Sequence, residues 1–244
     1  MNVSSYIHDT VKQRGMHMTL IDPDKQEPSR AAEIGRMAAD LGTDAIMVGG
    51  STGVTQENLD ATVKAIKSVI DLPVIYFPSG AHAISPYSDA IYFMTIMNSR
   101  DARMIMGEQI KGAPFIKKMG LETISMGYVI VDPGMKVGQM AKAELVERDD
   151  IMTAMGYALT AEFLGMSMVY FEAGSGAPEP VPSELIGAIK KATSIPVVIG
   201  GGIRDPKAAR MVRDAGADVV VTGTLVEGDD FTDRLKGVIE AVRR

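Results

Sequence analysis

The chain has 244 residues, of which 46% are hydrophobic and 23% charged, and its formal charge is -6. That balance lacks the basic footprint of a nucleic-acid binder and predicts no nucleic-acid partner. The absence of cysteine excludes disulfides and thiolate zinc sites.

The N-terminus, "MNVSSYIHDTVKQRG", is too polar for a signal peptide, and no apolar run is long enough to span a membrane. A cytoplasmic location is the expectation. His8, His17 and His82 show no metal-ligand spacing. The 18 methionines read mainly as core filler.

Short apolar strands alternate with segments of helical period along the chain. The strands are read at 17–22, 45–49, 73–77, 90–96, 125–132, 167–173, 196–200 and 218–223. Between the first two, Ile34, Met37, Ala38 and Leu41 repeat at helical spacing, and Gly42 stops the run. Thr55 caps the next stripe, Leu59, Val63, Ile66 and Ile70. Met152, Met155, Leu159 and Phe163 form a third stripe behind Asp149-Asp150. Asp205, Pro206 and Gly216 punctuate the clearest helix as cap, first-turn proline and stop.

Eight β-then-α steps without a break in composition predict one α/β domain over 1–244, a closed (β/α)8 barrel of TIM type. A doubly wound open sheet is the alternative. Two stretches break the pattern. "PSGAHAISPYSDA" (78–90) is too rich in Pro, Gly and Ser for a regular helix, so the third helix is irregular or missing. "PGMKVGQMAKAEL" (133–145) reads as an extra loop.

Barrel active sites lie at the C-terminal ends of the strands. Six of the eight strand ends carry glycine, including Gly200-Gly201-Gly202 and Gly223-Thr224 after the last two strands. Bare backbone there lets N–H groups reach an anion, and these two loops are the usual phosphate site of the fold. Tight turns alone would also use glycine. On the sixth strand Tyr170 and Glu172 share a face beside Gly174-Ser175-Gly176. Glu172 is a candidate general base for a substrate hydroxyl, or a structural partner for a cation. Asp22 and Asp24, in "IDPDK", are hard oxygen donors suited to Mg2+, with Ser51 or Thr52 as hydroxyl ligands. Lys25 and Arg204 are candidates for a second phosphate. Ile75, Tyr76, Phe77, Tyr92, Phe93, Met94 and Met97 gather beside the missing helix, as a greasy cleft or as core.

"LIDPDK", "VGGSTGV", "GYVIVDPG", "YFEAGSGAPEPV", "VIGGGIRDP" and "VVVTGTLVE", with "FPSG" before "DAIYFMTIMNS", resemble the geranylgeranylglyceryl phosphate synthases along essentially the whole chain. The resemblance implies a (β/α)8 barrel with an altered third helix. It implies a prenyltransferase that condenses a prenyl diphosphate with sn-glycerol 1-phosphate and releases diphosphate, a step towards archaeal-type phospholipids. Asp22 and Ser51 then match the Mg2+ positions. Tyr170, Phe171, Glu172, Ala173, Gly174, Ser175 and Gly176 match the glycerol phosphate stretch, with Glu172, beside Tyr170, as the base. Gly201, Gly202, Gly223 and Thr224 match the phosphate cradle, and Tyr92 a gate to the prenyl groove. Membrane contact is expected only in passing, through the lipid product. A homo-oligomer, dimer or hexamer, is expected too.

Two other classes share part of this pattern. A phosphate-substrate barrel isomerase or an aldolase-like lyase would use the same glycine loops, but an aldolase's Schiff-base lysine has no place in any of the eight apolar runs. A non-catalytic barrel could bind phosphate or lipid through the same residues. The DDxxD signature of chain-elongating prenyl synthases is absent, since Thr153 stands where Asp149-Asp150 needs a third acid.

Overall fold

A computed structural model describes residues 2–228 and 231–243. Eight parallel strands close into one barrel in chain order: β1 (Met16–Ile21), β2 (Ala45–Val48), β3 (Val74–Tyr76), β4 (Ala90–Ile96), β5 (Glu122–Ile130), β6 (Met168–Glu172), β7 (Val197–Gly200) and β8 (Val219–Thr222). β8 pairs with β1 through Met16 and Val219, which closes the ring and excludes the open-sheet alternative. The fifth strand starts at Glu122, three residues ahead of the expected start. The other bounds agree within two residues.

The helices are α1 (Val3–Val11), α2 (Pro28–Leu41), α3 (Gln56–Lys67), α4 (Glu108–Met119), α5 (Met135–Met140), α6 (Ile151–Phe163), α7 (Ser183–Ala192), α8 (Pro206–Asp214) and α9 (Thr232–Arg243). α1 closes the bottom of the barrel with Val3 and Ile7. Its first amides donate to the Glu122 carboxylate at 2.8 and 2.7 Å, where a helix start otherwise leaves them unpaired. The Thr55 cap forms with Asn58 as a reciprocal pair, and Asp205 accepts from the Ala208 amide.

Between β3 and β4 no helix is present among residues 77–89. The segment is stitched instead to its neighbours. Gln56 exchanges two hydrogen bonds with the Ile84 backbone, His82 bonds the Val54 carbonyl, and the Ala81 amide donates to Glu108. The stretch at 133–145 is not simply a loop. It contains the short α5, entered through Gly134 at φ +63°.

Two apolar layers result. Met16, Met18, Met47, Met126 and Met168 fill the barrel interior with Ile75, Tyr92, Tyr128 and Tyr170. Flexible thioethers suit that irregular space. Ile46, Val74, Tyr76, Val129, Val169, Phe171 and Ile199 point the other way, under the helices.

One apolar stripe does not face the core. In α6 Met152 is 76% and Phe163 80% exposed, with Met155 and Leu159 half-buried between them. The buried face is Ala154, Ala158 and Ala161. β5 dictates this: a Cβ on Gly127 would lie 2.9 Å from Ala161 Cβ, so helix and strand meet closely and only small side chains fit.

Candidate active site

The strand ends bring Glu172 to the mouth of the barrel, buried. Tyr170 lies two residues below it on β6, and Tyr128 faces Tyr170 directly across the β5–β6 register. Both hydroxyls lie near Glu172 and favour its charged form, and the Gly174 amide donates to its Oε1 at 2.7 Å. Burial raises the Glu172 pKa, while the hydroxyl and amide donors oppose the rise. The net position is above the ordinary glutamate range. The two phenols are pushed well above their usual value by burial and by the adjacent Glu172, so they stay protonated donors.

The triple glycine is bare for internal reasons. A Cβ on Gly200 would lie 2.0 Å from the Tyr170 hydroxyl. One on Gly201 would lie 2.4 Å from Glu172 Oε1, and one on Gly202 2.3 Å from the Glu179 carbonyl carbon. Gly201 and Gly202 also hold φ near +81° and +71°. The loop after β7 thus wraps the loop after β6. Gly223 differs, because a Cβ there would meet only Leu20 at an ordinary 3.4 Å. Its openness is not demanded by packing. Next to it the Thr224 and Ser175 hydroxyls lie 3.0 Å apart across the mouth.

Of the glycerol phosphate stretch, Phe171 and Ala173 turn their side chains into the helix-facing layer. Strand alternation puts them there, so only their backbone can serve the site. Arg204 is not free for a second phosphate. Its guanidinium donates to the Gly176 and Ala177 carbonyls at 2.6 and 2.9 Å and braces that loop. Lys25 pairs with Glu227 at 2.6 Å.

Asp22 closes β1 and is half-buried. The Asp24 amide donates to its Oδ1 at 3.0 Å, and burial raises its pKa. Gly50 is pressed against this carboxylate, since a Cβ there would lie 2.3 Å from Oδ1, and Ser51 follows directly. Asp24 is exposed, and the Thr52 hydroxyl accepts from Lys136 at 2.7 Å. Ser51 lines the mouth, and Asp22 follows β1 on the neighbouring strand. A partly desolvated carboxylate and a hydroxyl on adjacent strand ends are hard donors of the kind Mg2+ takes together with phosphate oxygens. No group of three or more His, Cys, Asp or Glu is placed to hold a metal ion among the described residues.

From this mouth a groove of about 160 Å³ runs outward where the third helix is missing. Ser51, Phe77, Tyr128 and Glu172 line its inner end, and Ile84, Phe93, Gly112 and Ile116 its outer end. Tyr92 lies along it, buried, with its hydroxyl on Met18 Sδ at 3.3 Å. Of the greasy group read from sequence, Tyr76 points away under the helices. Tyr128 carries no sequence mark of its inward side, because β5 reads as one unbroken apolar run from Met126 onward. Lys136, brought to the mouth by α5, carries no sequence signal.

A family model described as the PcrB family matches residues 8–242. A geranylgeranylglyceryl phosphate synthase of Methanothermobacter thermautotrophicus is 47% identical over 243 residues, covering 99% of each chain. One of Thermococcus gammatolerans is 48% identical, covering 98% of this chain and 94% of the relative. Among solved structures, (S)-3-O-geranylgeranylglyceryl phosphate synthase from Thermoplasma acidophilum, in complex with substrate sn-glycerol-1-phosphate, superposes with a TM-score of 0.97. It is 43% identical, covering 100% of this chain and 99% of that one.

Proposed function

The chain belongs to the PcrB family, and from that premise we propose that it is a prenyltransferase joining a geranylgeranyl group to sn-glycerol 1-phosphate in archaeal-type phospholipid biosynthesis. The observation that carries the reading is one junction. A buried, raised-pKa carboxylate, Glu172, sits where a glycine-rich phosphate cradle meets a long apolar groove. An isomerase or lyase would leave that groove without an occupant.

In this reading Gly201, Gly202, Gly223, Ser175 and Thr224 hold the glycerol phosphate through backbone amides and hydroxyls. The groove takes the prenyl chain and excludes water from its inner end. Glu172 accepts the proton of the glycerol hydroxyl as the ether bond forms. Tyr128 and Tyr170 orient that carboxylate and favour its charged form against the effect of burial. Asp22 and Ser51 would hold Mg2+, which when bound supplies charge stabilisation to the leaving diphosphate. Lys136 adds positive charge at the same rim.

The exposed apolar face of α6 supports a homo-oligomer, dimer or hexamer. Among the described residues no helix is long and apolar enough to cross a membrane. A cytoplasmic enzyme that meets the membrane only through its lipid product accords with that. The 1–244 span is read as one domain around a single barrel.

The test is incubation with labelled geranylgeranyl diphosphate and either sn-glycerol 1-phosphate or its 3-phosphate enantiomer, with and without Mg2+. Label in a glyceryl ether phosphate only with the 1-phosphate and Mg2+ is the expected result. No product with either, across shorter and longer prenyl diphosphates, overturns the reading.

A further inference from the structure

Four aromatic rings meet at the inner end of the groove. The Phe77 centroid lies 6.1 Å from Tyr92, 5.6 Å from Tyr128 and 5.9 Å from Tyr170. Tyr128 and Tyr170 are themselves 5.0 Å apart. The three tyrosines are fully buried, whereas Phe77 is only half-buried and lines the groove. Tyr92 and Tyr128 line the groove as well, but Phe77 offers the most surface of the four to an occupant.

Its position is built. The Phe77 amide donates to the Val48 carbonyl at 2.8 Å. Gly49 lets β2 and β3 converge there, since a Cβ on it would lie 2.1 Å from the Phe77 carbonyl oxygen. Two of the three rings around Phe77 also carry the hydroxyls that favour the charged form of Glu172. The same cluster therefore sets the place of the base and the place of the open ring.

Resting on the reaction proposed above, we infer that Phe77 is a further catalytic residue, whose ring stabilises the positive charge that develops on the allylic carbon. In that step the bond from C1 of the prenyl chain to the diphosphate oxygen breaks, and its electron pair leaves with diphosphate. A lone pair of the glycerol oxygen forms the new C1–O bond, and the hydroxyl proton goes to Glu172. Between the two events C1 is electron-poor, and the negative face of an aromatic ring attracts it. A carboxylate in the same place would compete with the glycerol oxygen for C1. A phenyl ring offers no oxygen nucleophile.

The experiment replaces Phe77 with 4-fluoro-, 3,5-difluoro- and 3,4,5-trifluorophenylalanine and measures single-turnover rates of ether formation. Fluorine drains the ring face while adding little volume, so packing is preserved. The expected result is a stepwise fall reaching about tenfold in the trifluoro protein, with KM for both substrates unchanged. Equal rates across the series on an active wild type overturn the inference alone. An inactive wild type overturns the reaction and the inference together.

Discussion

Tyr128 and Tyr170 stand opposite each other across β5 and β6, ring centroids 5.0 Å apart, with both hydroxyls near the Glu172 carboxylate. Each is a donor to the charged form, so removing one makes that form harder to reach. Tyr128→Phe and Tyr170→Phe should each lower kcat/KM at neutral pH about tenfold, the scale of a hydrogen bond to a charged group. The acid limb of the pH–rate profile should move to higher pH in both. An unmoved limb would remove the tyrosines from control of the base.

Glu172→Gln keeps the shape and the Gly174 contact but cannot take a proton. Turnover should fall by about 10²–10⁴, the usual contribution of a general base. Calorimetry should still show glycerol phosphate binding. Wild-type turnover in this variant would sink the assignment. Because burial holds the Glu172 pKa above the ordinary range, wild-type activity should fade on acidification before a solvent-exposed glutamate would protonate.

Gly202 and Gly223 look alike in sequence and should behave differently. Alanine at 202 meets the Glu179 carbonyl carbon at 2.3 Å and a φ of +71°. We expect a loss of about 2–3 kcal/mol in unfolding free energy. Alanine at 223 meets nothing closer than 3.4 Å, so the fold should persist while glycerol phosphate binding weakens. Unfolding curves paired with binding isotherms separate the two, and equal destabilisation would contradict the distinction.

His17 is buried between the Thr43 and Thr222 hydroxyls at 2.9 and 3.0 Å. Burial pushes its pKa down from 6.5 to about 4, with nearby Asp44 opposing and Arg243 adding to the fall. The unfolded chain therefore binds a proton that the folded chain refuses. Stability from this group is complete above pH 6.5 and is lost as pH falls towards 4, by up to about 3 kcal/mol. His17→Gln should be less stable at neutral pH but should show a shallower loss between pH 6.5 and 4. Parallel curves for the two proteins would refute the linkage.

The outward face of α6 should be an interface. Met152→Glu with Phe163→Glu adds charge where no packing inside the barrel is disturbed. Light scattering should report dissociation towards smaller species with the circular dichroism spectrum retained. An unchanged mass would place the contact between copies elsewhere.

The eight βα steps, the Thr55 and Asp205 caps and the missing third helix are all local patterns, and all are legible before folding. So are Glu172, Asp22 and the glycine-bearing strand ends, because barrels concentrate chemistry at one end of their strands. Two kinds of information were not local. Parallel strands buried on both faces read as unbroken apolar runs, so sequence alone did not show Tyr76 turning out while Tyr128 turns in, nor Phe171 leaving the site. Distance between segments remote in sequence was equally hidden. Gly127 decides the alanine face of α6 from the strand before it, Arg204 is taken up by carbonyls 27 and 28 residues away, and the bareness of Gly200–Gly202 answers to the loop after β6. Local propensity determined which elements this protein has. Close packing between them decided which side chains are left free to act.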